Sequence, residues 1–430
     1  MDKSKPFSVA EKLKYIRKAK GIMQSSFGNA LNWSASRISE IEGDRKEYTG
    51  DQIIILKALL DIEDAPITDK EIEKFKSRMN FWKDCIQDRN MYEAEKIRIE
   101  LSGIKKLPFE KDLNITYNMI EINQRLRQDN FADNVNEIRE HLEEVENYIE
   151  SSTSENRHYF YCNRAFVYQY DGKAELAMRY YEEAVSIKDD SFKQEASVYY
   201  NLALAYSRLG MAVRAIIYLK DCSYLIDYEK NLLFGLAADN TLAVNYIRAY
   251  QTNLALPLLD KALERANGIN DKKYIGIILH NYGATYIELG DYEKAVEYFD
   301  SAFKYIDEGS EAYLENLYAK IYALILKKDR AEYKRLFLKL NKLENVNEHY
   351  KILFHGLTCI TNIKEPDALK FVQNTVIPHL INNHLYNRVL DFIDVAIDEN
   401  IRKNSNRVAR ELDREGRKIL KMILGGGEIA

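Results

Sequence analysis

From about residue 160 to 305 the small, apolar and polar positions recur with a period longer than a single helix. The set Asn163/Ala165/Tyr168/Gly172/Ala177/Tyr180/Ala184 returns as Asn201/Ala203/Tyr206/Gly210/Ala215/Leu219/Cys222. It returns again as Thr241/Ala243/Tyr246/Tyr250/Ala255/Leu259/Ala262, and as Asn281/Gly283/Tyr286/Gly290/Ala295/Phe299/Ala302. The alanines that open the second half of each copy are spaced by 38, 40 and 40 residues. Such a period predicts stacked helical hairpins. Glycine marks the turn, and only a small side chain at the alanine positions lets two helices approach.

Helical spacing extends to both sides. Val9, Leu13 and Ile16 predict a helix over Ser8 to Lys20, followed by short helices at Gln24 to Leu31, Ser34 to Glu42 and Asp51 to Leu60. Phe27, Ile38, Ile41, Ile53, Leu56 and Leu60 supply their common core. Pro66 lies in the first boundary. Beyond it, Phe75, Met79 and Trp82 share one helical face, as do Ala94, Ile97 and Leu101, then Ile115, Met119, Ile122 and Leu126. Val135, Ile138, Leu142, Val145 and Tyr148 make the next. After residue 305 the ladder weakens, with Ala331 and Ala368 as its continuation and Asn406 to Leu420 as a terminal helix. The expected divisions are residues 1–65, 66–150 and 151–425.

Charge changes the picture more than composition does. Residues 1–48 carry ten Lys/Arg against six Asp/Glu, a net of +4, in a chain whose total is −5. A basic head on an acidic body places any nucleic-acid contact in the head. Four scattered cysteines suit reduced thiols and a cytoplasmic protein. No long apolar run predicts a membrane span, and no cysteine or histidine cluster predicts a metal or cofactor. With no phosphate loop or nucleophile elbow either, the expectation is a protein that is not an enzyme.

Gln24-Ser25-Ser26-Phe27-Gly28, with Ser34-Ala35-Ser36-Arg37-Ile38-Ser39 and Glu42, resemble the Xre/Cro-type helix-turn-helix family. Asn32 stands where that family usually has glycine, and Gly43-Asp44 replaces its usual Asn-Gly. The resemblance implies that Gln24 sits near backbone phosphate, that Ser34, Ser36 and Arg37 begin the recognition helix, and that Arg45 and Lys46 support it. Arg37 is the candidate to read guanine. The hairpin repeat resembles the tetratricopeptide repeat, stretched by roughly four to six residues over its usual ~34. The fold expected is therefore all-α: a helix-turn-helix domain followed by a right-handed tetratricopeptide-like superhelical solenoid.

In such a stack the first helices line the concave side. Asn163, Asn201 and Asn281 share one position there, and Asn245 lies a turn beyond the third copy's equivalent. An amide carries both donors and an acceptor, so these side chains could pair with the backbone of an extended peptide; each could equally bond a neighbouring helix. Arg208 and Arg248 could meet a carboxylate. Together, head and repeats resemble the peptide-responsive Rap/Rgg/NprR/PlcR regulators. That resemblance implies a quorum-sensing transcription factor, a homodimer on a palindromic double-stranded operator, controlled by a short signalling peptide. The alternative it carries is Rap-like binding of a response regulator or phosphatase activity, with Gln124 as a water-positioning amide, or else a DNA-tethered scaffold.

Overall fold

In the computed structural model the described residues are 9–402, apart from 20, 44–45, 62–68, 89, 103–110, 129, 191, 193, 229–230, 341–342, 344–345 and 362–365, together with 410, 413–414 and 416–420. All their regular structure is helical, and there is no β-sheet among them. The chain divides into two compact units. One comprises Met1–Lys173 with Arg179–Lys193, and the other Ala174–Met178 with Gln194–Ala430.

The first unit opens with four short helices, α1 (Val9–Ala19), α2 (Gln24–Leu31), α3 (Ala35–Glu42) and α4 (Gly50–Leu59). Leu13, Ile16, Phe27, Ile38, Ile41, Leu56 and Leu60 form their shared core. Asn32 ends α2 with φ +57°, the left-handed turn that a short polar side chain tolerates. Ser34 caps α3, its Oγ accepting from Arg37 N at 3.3 Å. Next come α5 (Asp69–Gln87), α6 (Met91–Ser102), α7 (Lys111–Leu126), α8 (Phe131–Ile149) and α9 (Ser154–Tyr170), then α10 (Ala174–Ser186), whose residues Ala174–Met178 count with the second unit. The expected faces of α5 to α8 are buried.

The second unit stacks α11 (Ala196–Arg208) on α12 (Ala212–Leu225), α13 (Leu232–Arg248) on α14 (Thr252–Gly268), α15 (Lys272–Glu288) on α16 (Tyr292–Ala302) and α17 (Glu311–Lys327) on α18 (Arg330–Leu340). There follow α19 (Glu348–Thr361), α20 (Pro366–Phe371), a π turn at Val372–Val376, α21 (Ile377–Asn382) and α22 (Tyr386–Arg402). The π turn immediately precedes the Ile377–Pro378 start of α21, where proline lacks the N–H that regular α pairing requires. Each first helix touches the next, α11 to α13, α13 to α15, α15 to α17 and α17 to α19, while consecutive second helices pack far less closely. The first helices therefore form the inner row of a curved stack.

The small-residue ladder is fully buried at Ala177, Ala215, Ala255 and Ala295, and again at Ala184, Cys222, Ala262 and Ala302. Gly172, Gly210 and Gly290 adopt φ +73°, +72° and +76°, and Tyr250 holds the equivalent turn at +57°. Two expectations need correction. The first copy's buried ring is Tyr181, four residues after Ala177 and so on the same helix face; Tyr180 is half-buried. Ala331 is exposed, and α18 packs through Tyr333 and Leu336 instead. Of the expected terminal helix from Asn406 to Leu420, residues 406–409, 411–412 and 415 lie outside the described residues.

Facing positions also compensate in size. Where the fourth copy has the large Phe299, its first helix has Gly283 in place of alanine, and a Cβ there would come within 2.5 Å of the Phe299 ring. Gly283→Ala is expected to cost about 1–3 kcal/mol by overpacking. Gly290→Ala should cost about 1–2 kcal/mol through its left-handed backbone. Gly268→Ala, in open space at the end of α14, should be neutral or slightly stabilising. Denaturant midpoints of the three variants check this order.

Candidate functional site

Three groups of polar side chains were expected to act, and the first lies in the head. Ser34, Ser36 and Arg37 are exposed at the start of α3, where free backbone N–H groups favour an anion. The Arg37 guanidinium lies 3.9 Å from the centroid of the Trp33 ring, which pre-orders a long side chain at little entropic cost. Lys46 is exposed and pairs with Glu40 at 3.1 Å. Arg45 lies outside the described residues.

Gln24 is placed differently. Its amide donates to Glu42 Oε2 at 2.8 Å, so its nitrogen is turned toward the core rather than toward a phosphate. That carboxylate also binds Arg17 through Nε and Nη2 at 2.6 and 2.7 Å, while Arg17 Nη1 donates to the Ile22 carbonyl at 2.6 Å. Arg17 and Glu42 are both buried. An arginine of the basic head thus fastens α1 to α3. The sequence offers no periodic signal for a pair 25 residues apart.

Gln124 is also sealed. It is fully buried on α7, its Oε1 accepting from Trp82 Nε1 at 2.5 Å and its Nε2 donating to Glu95 Oε2 at 2.8 Å. Arg98 binds Glu95 in turn at 2.7 Å, and that bond holds the Glu95 carboxyl below its ordinary pKa. With one acceptor and one donor of its amide paired and no solvent access, Gln124 does not reach solvent water in this conformation. It ties α5, α6 and α7 together. Asn163, likewise in the first unit, is buried, donating to the Met119 carbonyl at 3.0 Å and accepting from Asn123 at 3.2 Å.

The second unit presents a row on its first helices. Asn201 on α11 is half-buried and has no hydrogen bond from its amide to any described residue. Arg208, two turns on, is exposed. On α13, Asn245 is fully buried; its Nδ2 donates to Thr241 O at 2.9 Å, and its Oδ1 has no partner. Arg248 is half-buried and reaches back to Ser207, with Nη1 at 2.8 Å from Oγ. Burial lowers its pKa, and the Arg388 charge adds to this. Asn281 on α15 donates to Asn240 Oδ1 at 2.8 Å. The row therefore retains unspent hydrogen-bonding capacity at Asn201 and Asn245, with Arg208 beside it.

A charged centre that the repeat pattern did not indicate continues the row. Glu315 on α17 binds Arg388 and accepts from Tyr350 Oη at 2.9 Å. Arg388 also lies 4.7 Å from the Tyr318 ring centroid, and Tyr318 Oη is buried without a partner. Burial alone would raise the Glu315 carboxyl; Arg388, His280 and Tyr350 outweigh it and bring it to about 2. His280 is pushed down, chiefly by burial, and bonds Asn316 at 3.0 Å.

Family models described as tetratricopeptide repeat match residues 236–306, and 158–191 with 196–226. The chain is 28% identical over 263 residues to response regulator aspartate phosphatase A of Bacillus subtilis (strain 168), covering 57% of this chain and 67% of that protein. It is 22% identical over 282 residues to transcriptional activator NprA of Geobacillus stearothermophilus, covering 63% and 66%. The chain thus spans about two thirds of the length of these two relatives. The apo form of the quorum sensor NprR from B. thuringiensis has the same fold, with TM-score 0.62, 18% identity and coverage of 80% of this chain and 98% of that one. A Rap protein complexed with competence and sporulation factor gives 0.60 and 17%, covering 82% and 99%. The chain is an all-helical homologue of the Rap- and NprR-type regulators. The expectation that it is not an enzyme is corrected by these relatives, because phosphatases A, H and E of B. subtilis are all named as enzymes.

Because the folded state holds Glu315 ionised well below the ordinary carboxylate range, its contribution is complete above about pH 4.5. It is lost as pH falls toward about 2. Glu315→Gln should remove about 2–3 kcal/mol of the stability that the wild type loses between pH 6 and pH 3. Urea unfolding of both proteins at the two pH values reads the difference.

Proposed function

We propose that this chain is a peptide-responsive regulator whose protein target is a response regulator, and that it promotes hydrolysis of the target's aspartyl phosphate. In that reaction water attacks phosphorus, the bond from phosphorus to the aspartate oxygen breaks, and the carboxylate leaves. The phosphoryl group belongs to the partner, so no phosphate loop is required of this chain. The names of the curated relatives support this reading most directly. A second support is the exposed apolar surface of the first unit. Phe81 on α5 and Tyr92 and Ile99 on α6 stand 45%, 75% and 58% exposed. Large apolar side chains held in water on one hairpin favour a protein partner.

The regulatory peptide fits the inner row of the second unit. Asn201 offers its amide to an extended backbone, Asn245 would do so only if the packing that buries it opens, and Arg208 and Arg248 offer charge to a carboxylate. Asn281 and, in the first unit, Asn163 serve the same reading only by releasing the bonds they now make.

A second reading, DNA binding by the four-helix head as a homodimer on a palindromic operator, is favoured by one observation. Ser34, Ser36 and Arg37 are exposed together at the N-terminus of α3, with Arg37 ordered on Trp33. That reading makes the chain a peptide-controlled transcription factor, like the relative named as an activator.

Incubating the chain with a phosphorylated response regulator from its own organism should accelerate phosphate loss, and Tyr92→Ala with Ile99→Ala should slow it at least about tenfold through lost docking. No acceleration over the partner alone, across the organism's response regulators, would refute the phosphatase reading. For the second reading, Arg37→Ala should weaken operator binding by about 1–3 kcal/mol and relax specificity at one base pair. Unchanged affinity and sequence preference would remove Arg37 from that role.

A further inference from the structure

The histidines are scattered along the sequence, yet two of them meet in the second unit. His349 Nδ1, in the first turn of α19, lies 2.8 Å from His379 Nε2 on α21, across 30 residues. Their ring centroids are 5.0 Å apart and the rings are tilted by 43°, with one nitrogen of each turned to the other. Both side chains are half-buried. Neither the phosphatase nor the DNA-binding reading uses them.

The fold holds both rings in place. Asn347 caps the start of α19, its Oδ1 accepting from Tyr350 N at 3.0 Å, and the His349 ring stands edge-on to Tyr350 at 82°. Tyr350, Leu353, Val376 and Leu380 belong to one buried core. His379 comes directly after the π turn at Val372–Val376, which packs with α20 against α19. A π turn carries one residue more than an α turn and so rotates everything beyond it by about 100°. In an uninterrupted α-helix, position 379 would be turned by that angle, away from His349.

We propose that His349 and His379 form a two-histidine site for a divalent cation of the zinc class, which pins α19 to α21. Imidazole nitrogen is a ligand that such ions favour. A tetrahedral zinc holds its nitrogen ligands at about 2.0–2.1 Å, which sets them about 3.4 Å apart. The pair therefore has to open by only about 0.6 Å, a small rotation of the two rings. The proton between the facing nitrogens moves to the far nitrogen of the ring that carries it, so both rings bind in the neutral form. Burial, with Arg388 and the neighbouring His379, holds His349 below its ordinary pKa and so keeps it neutral near pH 7. Glu315 faces the same ring and is paired with Arg388, which offsets the arginine's charge at the site. Among the described residues there is no group of three His, Cys, Asp or Glu that could hold a metal. Two ligands from the chain leave the other positions to water, so the ion exchanges freely, unlike one in a closed structural centre.

The test uses the full chain freed of metal by a chelator, with zinc chloride as the probe at about pH 7.5, where histidine ligands are neutral. Calorimetry should show saturable uptake of a single zinc, and the ion should raise Tm. His349→Gln and His379→Gln should each lose that uptake and the rise in Tm, while His384→Gln keeps both; circular dichroism reports the helix content of all three. In the wild type, zinc should shift the ring-nitrogen resonances of His349 and His379, a reading that depends on no variant. Absence of saturable uptake by the wild type would overturn the site. So would shifts confined to the other histidines, or undiminished uptake by either His349→Gln or His379→Gln.

Discussion

Close approach of paired helices is the constraint from which the second unit follows. The alanine that begins the second helix of the four regular copies, Ala177, Ala215, Ala255 and Ala295, is excluded from solvent, and nothing larger fits where two helix backbones come this near. Gly283 opposite Phe299 shows how strictly the space is shared. Because the first helices also touch one another along the stack, the same constraint lines them up as an inner row. Polar groups on that row come to lie on neighbouring helices although they are far apart in the chain, as Asn201, Asn245 and Asn281 are.

Polar side chains on such a surface divide into those that hold the fold and those left with capacity. Asn281 with Asn240, and Asn163 with Met119 and Asn123, are joints between neighbouring helices. Each satisfies groups that would otherwise cost energy in a buried position. Asn201 and the Oδ1 of Asn245 are not spent in this way. Asn201, a half-buried amide with no partner among the described residues, is suited to a partner from outside, and Asn245 lies fully buried on the adjacent helix of the inner row. The Glu315–Arg388 pair behaves differently, since the arginine comes from α22 and closes a distance of 73 residues.

Repetition explains what was legible in the sequence. The hairpin period, the turn glycines and the alanine ladder each repeat, and so each could be read without a structure. The short helices of the head were legible from their apolar spacing and from the turn at Asn32. Partner choice by single polar side chains was not. Gln24 and Arg17 converge on Glu42, and Gln124 disappears between Trp82 and Glu95. These are individual long-range pairings with no period. The same holds for Arg388, which lies beyond the region where the ladder is regular. An activity of the kind proposed, whose phosphoryl group would sit on another protein, leaves no motif of its own, which is why that proposal draws on relatives.

The most direct measurement is native mass spectrometry of the full chain incubated with peptides from the spent medium of its own organism, beside the Asn201→Ala variant. The wild type should retain a short peptide, and the variant should lose most of it while remaining folded. Failure of any peptide to bind, or equal retention by the variant, would contradict the assignment of the inner row as a peptide receptor.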